Sequence, residues 1–165
     1  MVAALLLLVS AAANAQTVEG GDFHSCAVVN GGVQCWGRNV DGQLGNGSYT
    51  NSTTPVQVIG LSSGVMAVAA GVDHSCAVVN GGVQCWGWND FGQLGNGSTT
   101  SSTTPVQVTG LTSGVTAVST GSLHSCAVVN GGVQCWGLNA SGQLGNGSTA
   151  NSSVPAQVTG LTSGV

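Results

Sequence analysis

Six cysteines and three histidines are the residues whose types and spacing could do chemistry in this 165-residue chain. They fall into three sets: His24, Cys26 and Cys35; His74, Cys76 and Cys85; His124, Cys126 and Cys135. A thiolate pair with an imidazole would supply three ligands to zinc. The spacing matches no compact zinc knuckle, however, and it suits a covalent bridge better. Three local disulfides are expected, Cys26 with Cys35, Cys76 with Cys85 and Cys126 with Cys135, and no metal or cofactor. Ser25 beside His24 would need a third group to act as a nucleophile, and both residues recur in every copy. Carboxylates hold no recurring position, since Asp41 corresponds to Phe91 and then Ser141. The Gly-Asn-Gly-Ser blocks lack the lysine and the helix of a phosphate loop. The chain is not expected to be an enzyme. Each histidine is expected to open a strand and to hydrogen-bond a neighbouring turn.

The element that must position the cysteines is a hairpin. Asn30-Gly31 lies midway between Cys26 and Cys35. Asn-Gly is the strongest short signal for a two-residue type I′ turn, because both central residues need positive φ. With that loop Val29 faces Gly32, Val28 faces Val33, Ala27 faces Gln34 and Cys26 faces Cys35. Hydrogen-bonded and non-hydrogen-bonded pairs alternate, which makes 26/35 a non-hydrogen-bonded pair, where opposite Cα atoms come closest. That spacing is near the range a disulfide needs. Side-chain alternation puts Cys26, Val28, Val33 and Cys35 on one face and Ser25, Ala27, Val29, Gln34 and Trp36 on the other. Neither face is charged, so the hairpin should be covered on both sides, as in stacked sheets.

The hairpin segment HSCAVVNGGVQCWG is repeated without change at His24–Gly37, His74–Gly87 and His124–Gly137, 50 residues apart. A fixed period of this size means one supersecondary unit repeated side by side. The block GQLGNGS keeps the same register from Gly42, Gly92 and Gly142. Its Leu44, Leu94 and Leu144 should plug gaps between neighbouring units. Between hairpin and next strand runs a loop, 38–54 in the first copy. Pro55–Val58 then reads as a strand with proline at its start, Ser62-Ser63-Gly64 as a turn, and Val65–Ala69 as another strand. Four short strands per repeat is the size of a propeller blade. The fold class is all-β.

The pattern G-x-x-HSCAVVNGGVQCWG-x-N-x-x-GQLGNG resembles the repeat of the regulator of chromosome condensation (RCC1) family, in particular its bacterial, exported, cysteine-bearing relatives. The resemblance covers residues 17–165. It implies a β-propeller whose best-known examples have seven blades. Three repeats are too few to close a ring, so the expectation is a partial propeller or open arc. A fragment of a longer ring is favoured over a free arc or a dimer that completes a ring. By this reading the last copy lacks its fourth strand and the first copy begins with the remnant of one. Open blade faces would allow self-association.

Charge narrows the partners. Arg38 is the only Lys or Arg, against five acids, and the formal net charge is −4. One cation cannot neutralise a phosphate backbone, which argues against nucleic acid and anionic membranes. Residues 1–15 read as an export signal, with an apolar run at Ala3–Val9 and a small-x-small site at Ala13-Asn14-Ala15. The run is too short to span a membrane. Localisation is expected to be secreted, periplasmic or cell-surface. Asn46, Asn96, Asn146, Asn51 and Asn151 sit in glycosylation sequons, but turn-forming asparagines account for them as well.

The copies differ in few places, and those places cluster. Asp22-Phe23 becomes Val72-Asp73 and Ser122-Leu123. Arg38, Val40 and Asp41 become Trp88, Asp90 and Phe91, then Leu138, Ala140 and Ser141. In a hairpin both stretches lie at the end opposite the turn, and rim loops on a rigid scaffold are where binding residues usually sit. The expected partner-binding rim is therefore Asp22, Phe23, Arg38, Asp41, Asp73, Trp88, Asp90, Phe91, Leu123 and Leu138. Aromatic and arginine anchors there point to a protein partner. The alternative is a carbohydrate-contacting or structural surface module in which Trp88 and Phe91 stack on sugar rings. A regulator acting on a GTPase or an enzyme is a distant third, implied only by the family resemblance.

Overall fold

The computed structural model describes residues 17–165. The export signal expected at residues 1–15 lies outside the described residues. All regular structure among the described residues is strand. Strands β1 (Val18–Gly20), β2 (His24–Val29), β3 (Gly32–Gly37) and β4 (Ser52–Gln57) form one antiparallel sheet in sequential order. The second sheet holds β5 (Val65–Ala70), β6 (His74–Val79), β7 (Gly82–Gly87) and β8 (Ser102–Gln107). The third holds β9 (Val115–Thr120), β10 (His124–Val129), β11 (Gly132–Gly137) and β12 (Ser152–Gln157). Each sheet is a propeller-type blade, and the three stack in an open, not closed, arrangement.

The hairpin register follows from the turn. Asn30 and Gly31 have φ of 52° and 77°, the pair of left-handed residues that a type I′ turn requires. Val29 pairs with Gly32, Val28 with Val33 and Cys26 with Cys35. The Cys26 and Cys35 Cα atoms stand 4.1 Å apart, and the three bridges 26–35, 76–85 and 126–135 are all formed. A bridge across each central strand pair ties the two strands that carry most of a blade's core.

Three expectations about the elements are corrected. The strand that precedes each hairpin belongs to that hairpin's own blade. A 50-residue period fixes the length of the unit but not where it begins. The third sheet therefore has its four strands, and β1 is the inner strand of the first blade rather than a remnant. The outer strand begins at Ser52, not Pro55, which shortens the loop to 38–51. Pro55 is tolerated inside it because β4 is an edge strand and its pairing with β3 shifts between Cys35 and Gly37. The hairpin is fully covered on both faces only in the middle blade, where Cys76, Ala77, Val78, Val83, Cys85 and Trp86 are inaccessible. Trp36 in the first blade, and Val128 and Val133 in the third, stay half-buried.

The core lies between blades. One cluster joins Cys26, Val28, Val33 and Leu44 of the first blade to Val68, Ala77 and Trp86 of the second. The same set recurs between the second blade and the third. Opposite faces of the identical hairpin thus meet, as the alternation implied. The inner strands β1, β5 and β9 stand side by side. Farther out the wedge between blades is filled by the loop after each hairpin, where the Gly47 N–H donates to the Thr103 carbonyl at 3.0 Å. Leu44 is completely buried there and fills the gap expected of it. Gly45 has a φ of +65°, and a Cβ on it would lie 2.8 Å from Trp86 Nε1. Glycine is thus required both for the turn and for the indole to approach the loop.

Candidate functional site

Three backbone bonds close the hairpins at the end away from the Asn-Gly turns. Arg38 N–H donates to the Phe23 carbonyl at 2.8 Å, Trp88 N–H to Asp73 at 2.8 Å and Leu138 N–H to Leu123 at 2.9 Å. The two variable stretches of each copy therefore form one surface. That surface is a rim of loops at the open ends of the disulfide-bridged hairpins.

Between the first and second blades the rim is a compact charged group. The Arg38 guanidinium lies 2.7 Å from Asp73 Oδ1 and 3.4 Å from Asp41. It also sits 5.5 Å from the centroid of the Phe23 ring, within cation–π reach. Asp73 Oδ1 accepts a second bond from Gln43 Nε2 at 2.8 Å. Burial pushes the Asp73 carboxyl above the usual carboxylate range, the Arg38 charge opposes this, and Asp41 and Asp22 add to the rise. Phe23 keeps 58% of its surface exposed. In the next blade Trp88 and Phe91 meet edge to face, with centroids 5.5 Å apart and planes at 87°. Asp90 is exposed, whereas Leu123 and Leu138 are half-buried.

The structure thus groups Asp22, Phe23, Arg38, Asp41 and Asp73, and separately pairs Trp88 with Phe91. Sequence position places Arg38 and Asp73 on the rim but does not reveal that they pair across two blades. The second interface carries no such pair, because Leu123 stands where Asp73 stood. Gln93 Nε2, the equivalent of Gln43 Nε2, is buried there without a hydrogen-bond partner.

His24 and His74 each bond a serine on a strand of the next blade, a partner not expected from the sequence. His24 Nε2 lies 2.8 Å from Ser75 Oγ, and His74 Nε2 lies 2.9 Å from Ser125 Oγ. Ser75 Oγ–H and Trp86 Nε1–H both donate to the Gln43 carbonyl, at 3.0 and 2.9 Å. With its proton committed, Ser75 Oγ accepts from His24 Nε2–H, which assigns the tautomer. Burial lowers the His24 pKa to about 4, partly offset by the Val72 carbonyl. Burial lowers His74 to about 3, and the neighbouring His24 and His124 add to this. His124 is lowered by burial as well. A serine within reach of a histidine could serve as a nucleophile. Ser75 is wholly inaccessible and its proton is held by a carbonyl, so this contact welds blades together. Among the described residues no cluster of three His, Cys, Asp or Glu side chains could hold a metal.

Two structural residues escaped the motif reading. Asn39 is fully buried, and its amide donates to the Ser48 and Thr50 carbonyls at 2.9 and 3.1 Å while its Oδ1 accepts from Leu44 N–H at 2.9 Å. It holds the loop that carries Leu44. Gln43 joins that loop to Asp73, Ser75 and Trp86. The available signal was that Asn39 recurs unchanged between neighbours that vary, and that Gln43 belongs to the unchanged GQLGNGS block. Asn46 Oδ1 accepts from Ser48 N–H and Oγ–H at 3.2 and 3.0 Å, the turn role expected of it.

The regulator of chromosome condensation (RCC1) repeat matches residues 30–78, 80–128 and 130–164, and a second description of the repeat matches 16–43, 66–93 and 115–143. The chain belongs to the RCC1 repeat family. Its fold is shared with Prp20p of Saccharomyces cerevisiae at a TM-score of 0.76 and 22% identity, covering 86% of this chain and 37% of Prp20p. Yeast RCC1 (Prp20) bound to Kap60 gives 0.74 at 22% identity, covering 86% of this chain and 36% of that one. Human WBSCR16 gives 0.70 at 30% identity, covering 85% and 38%. This RCC1-repeat chain therefore spans under two-fifths of each of those structures. No curated protein sequence matches it significantly. The families matched are repeat families, not enzyme families. No helix among the described residues is long and apolar enough to cross a membrane.

Proposed function

We propose that this RCC1-repeat chain is a non-catalytic interaction scaffold that binds a partner protein through its loop rim. The observation that carries the reading is the rim group itself. Arg38, the only cation of Lys or Arg type in the chain, is held between Asp73, Asp41 and an exposed Phe23, and Trp88 and Phe91 pair on the next blade's part of the rim. Aromatic residues and arginine on a preorganised surface are the usual anchors of protein interfaces. Pairing with Asp73 preorganises Arg38 and leaves the Phe23 ring as the protruding contact. The rest of each repeat is spent on the blade. One relative of the fold binds proteins in both of its structures: yeast Prp20p binds Gsp1p and histones, and the same protein is bound by Kap60. Neither set of partners transfers to this chain by likeness alone.

The setting we propose is an oxidising compartment, reached by export. Three disulfides close every cysteine of the chain, and such bridges persist outside the reducing cytosol.

The test is capture of partners by the immobilised oxidised chain against the Trp88→Ala/Phe91→Ala double variant. Loss of two aromatic anchors should weaken binding of a bona fide partner by tenfold or more, from about 1–2 kcal/mol per anchor. Unchanged capture contradicts the rim reading. Retention of a glycan by the wild type, lost in the variant, would move the assignment to carbohydrate.

A further inference from the structure

The two inter-blade contacts differ at one polar group on the rim. Between the first and second blades, Gln43 Oε1 accepts from Asp41 N–H at 3.0 Å and Gln43 Nε2 donates to Asp73 Oδ1 at 2.8 Å. Between the second and third blades, Gln93 Oε1 accepts in the same way from Phe91 N–H at 3.1 Å. Turning the amide over would set its NH2 group against that N–H, so its orientation is fixed. Leu123 stands where Asp73 stood. Gln93 is fully buried, and its Nε2 has no hydrogen-bond partner. This interface lies inside the chain, with a blade on each side.

A buried donor without an acceptor is costly, and folded proteins rarely keep one. The first interface shows what the position takes. Asp73 Oδ1 bonds Gln43 Nε2 while the Asp73 side chain keeps 13% of its surface exposed. An acceptor at this place is therefore reached from the rim. Leu123, which holds the place in the second interface, is half-buried on a loop, and turning its side chain aside opens the same path.

The acceptor that fits is uncharged. Asp73 is neutralised by Arg38 at 2.7 Å. Trp88 stands where Arg38 stood, the chain has no other Lys or Arg, and the exposed Asp90 two residues on adds repulsion. A carboxylate brought in would be desolvated without a countercharge. A sugar brings several hydroxyls, for which Leu123 and Phe91 offer no partner. A peptide brings a main-chain carbonyl flanked by apolar side chains, which matches one donor set among Trp88, Phe91 and Leu123.

We propose that the rim between the second and third blades holds an apolar segment of the partner protein, whose main-chain carbonyl accepts from Gln93 Nε2–H in the place that Asp73 fills between the first and second. This rests on the rim reading above and names the site and the chemistry of its occupant.

The probe is a library of unstructured peptides displayed on phage and selected on the immobilised whole oxidised chain. Leu123→Asn puts a neutral acceptor beside Gln93, so that the amide pairs within the chain. Selected peptides should be apolar and uncharged, and Leu123→Asn should weaken their binding about tenfold or more. Ser122→Asn, the same side chain one exposed position earlier, should leave it unchanged. In the wild type the nuclear magnetic resonance signals of the Gln93 side-chain amide should shift on peptide binding and exchange more slowly, a readout that needs no variant to fold. No selected peptide, a consensus of Asp and Glu, equal affinity for Leu123→Asn, or an unmoved Gln93 amide overturns the proposal. Retention of a glycan in place of peptide assigns the acceptor to a sugar and overturns it too. Peptides lost by Trp88→Ala/Phe91→Ala but kept by Leu123→Asn sink this site and leave the rim reading standing; peptides kept by the double variant sink both.

Discussion

Replacing Trp86 by alanine is expected to destabilise the fold by about 3–5 kcal/mol, while the same change at Trp36 costs on the order of 1 kcal/mol. The two tryptophans sit in identical sequence, so local propensity cannot distinguish them. Trp86 is wholly buried between the first and second blades, packed on Gly45 and bonded to the Gln43 carbonyl. Its removal leaves a cavity in the inter-blade core, where most of the apolar side chains of two blades meet. Trp36 lies on an outer face and is half-buried. Urea unfolding measures both. Equal losses would show that the blades do not stack as described, because position between blades is the sole difference between the two sites.

Acid is the second large effect. His24 and His74 are buried and neutral, with pKa values of about 4 and about 3. In the unfolded chain both titrate near the ordinary histidine value of about 6.5. Below that pH the unfolded state binds more protons than the folded state, so stability falls as pH falls. The loss continues until the folded imidazoles themselves titrate, near pH 4 and pH 3. Each histidine contributes roughly 1.4 kcal/mol per pH unit in that window. At about pH 4.5 the pair together removes on the order of 5 kcal/mol, a large share of a typical total of about 5–15 kcal/mol. Asp73 works in the opposite direction: its raised carboxyl takes up a proton in the folded state first, which favours the fold at the acid end of the range. Denaturant midpoints measured from neutral pH to about pH 4.5 should fall steadily. His74→Gln keeps a donor for Ser125 and should remove about half of the slope. A flat profile in the wild type would contradict the burial of these rings.

These two effects mark what the sequence makes legible and what it does not. The hairpin register could be read because the Asn30-Gly31 turn and the Cys26/Cys35 spacing are both local constraints, and they agree. The two-faced burial of the hairpin was visible in its apolar alternation. The phase of the blade was hidden, since a repeat of fixed length is the same pattern whatever residue it is taken to start from. The start of β4 was hidden too, because Ser52, Thr53 and Thr54 show no apolar alternation and an edge strand does not need it. The partner of His24 could not be read, because Ser75 lies on another blade and is brought to it only by stacking. The same holds for Arg38 and Asp73, whose pairing depends on a loop of one blade reaching the next. That the two variable stretches flanking each hairpin share one end was legible, because the strand ends of a hairpin opposite its turn lie together. The unsatisfied Gln93 amide was not, since it arises from one aspartate-to-leucine difference seen across an interface.

The central claim is that the invariant hairpins build the scaffold and the unlike rim does the binding. A photo-crosslinking side chain placed at Phe91 on the rim, and in a parallel protein at Asn80 in the middle blade's turn, tests that division most directly. Covalent capture of the protein partner from position 91 and not from position 80 is the predicted result. Capture from position 80 equal to or greater than that from position 91 would contradict it.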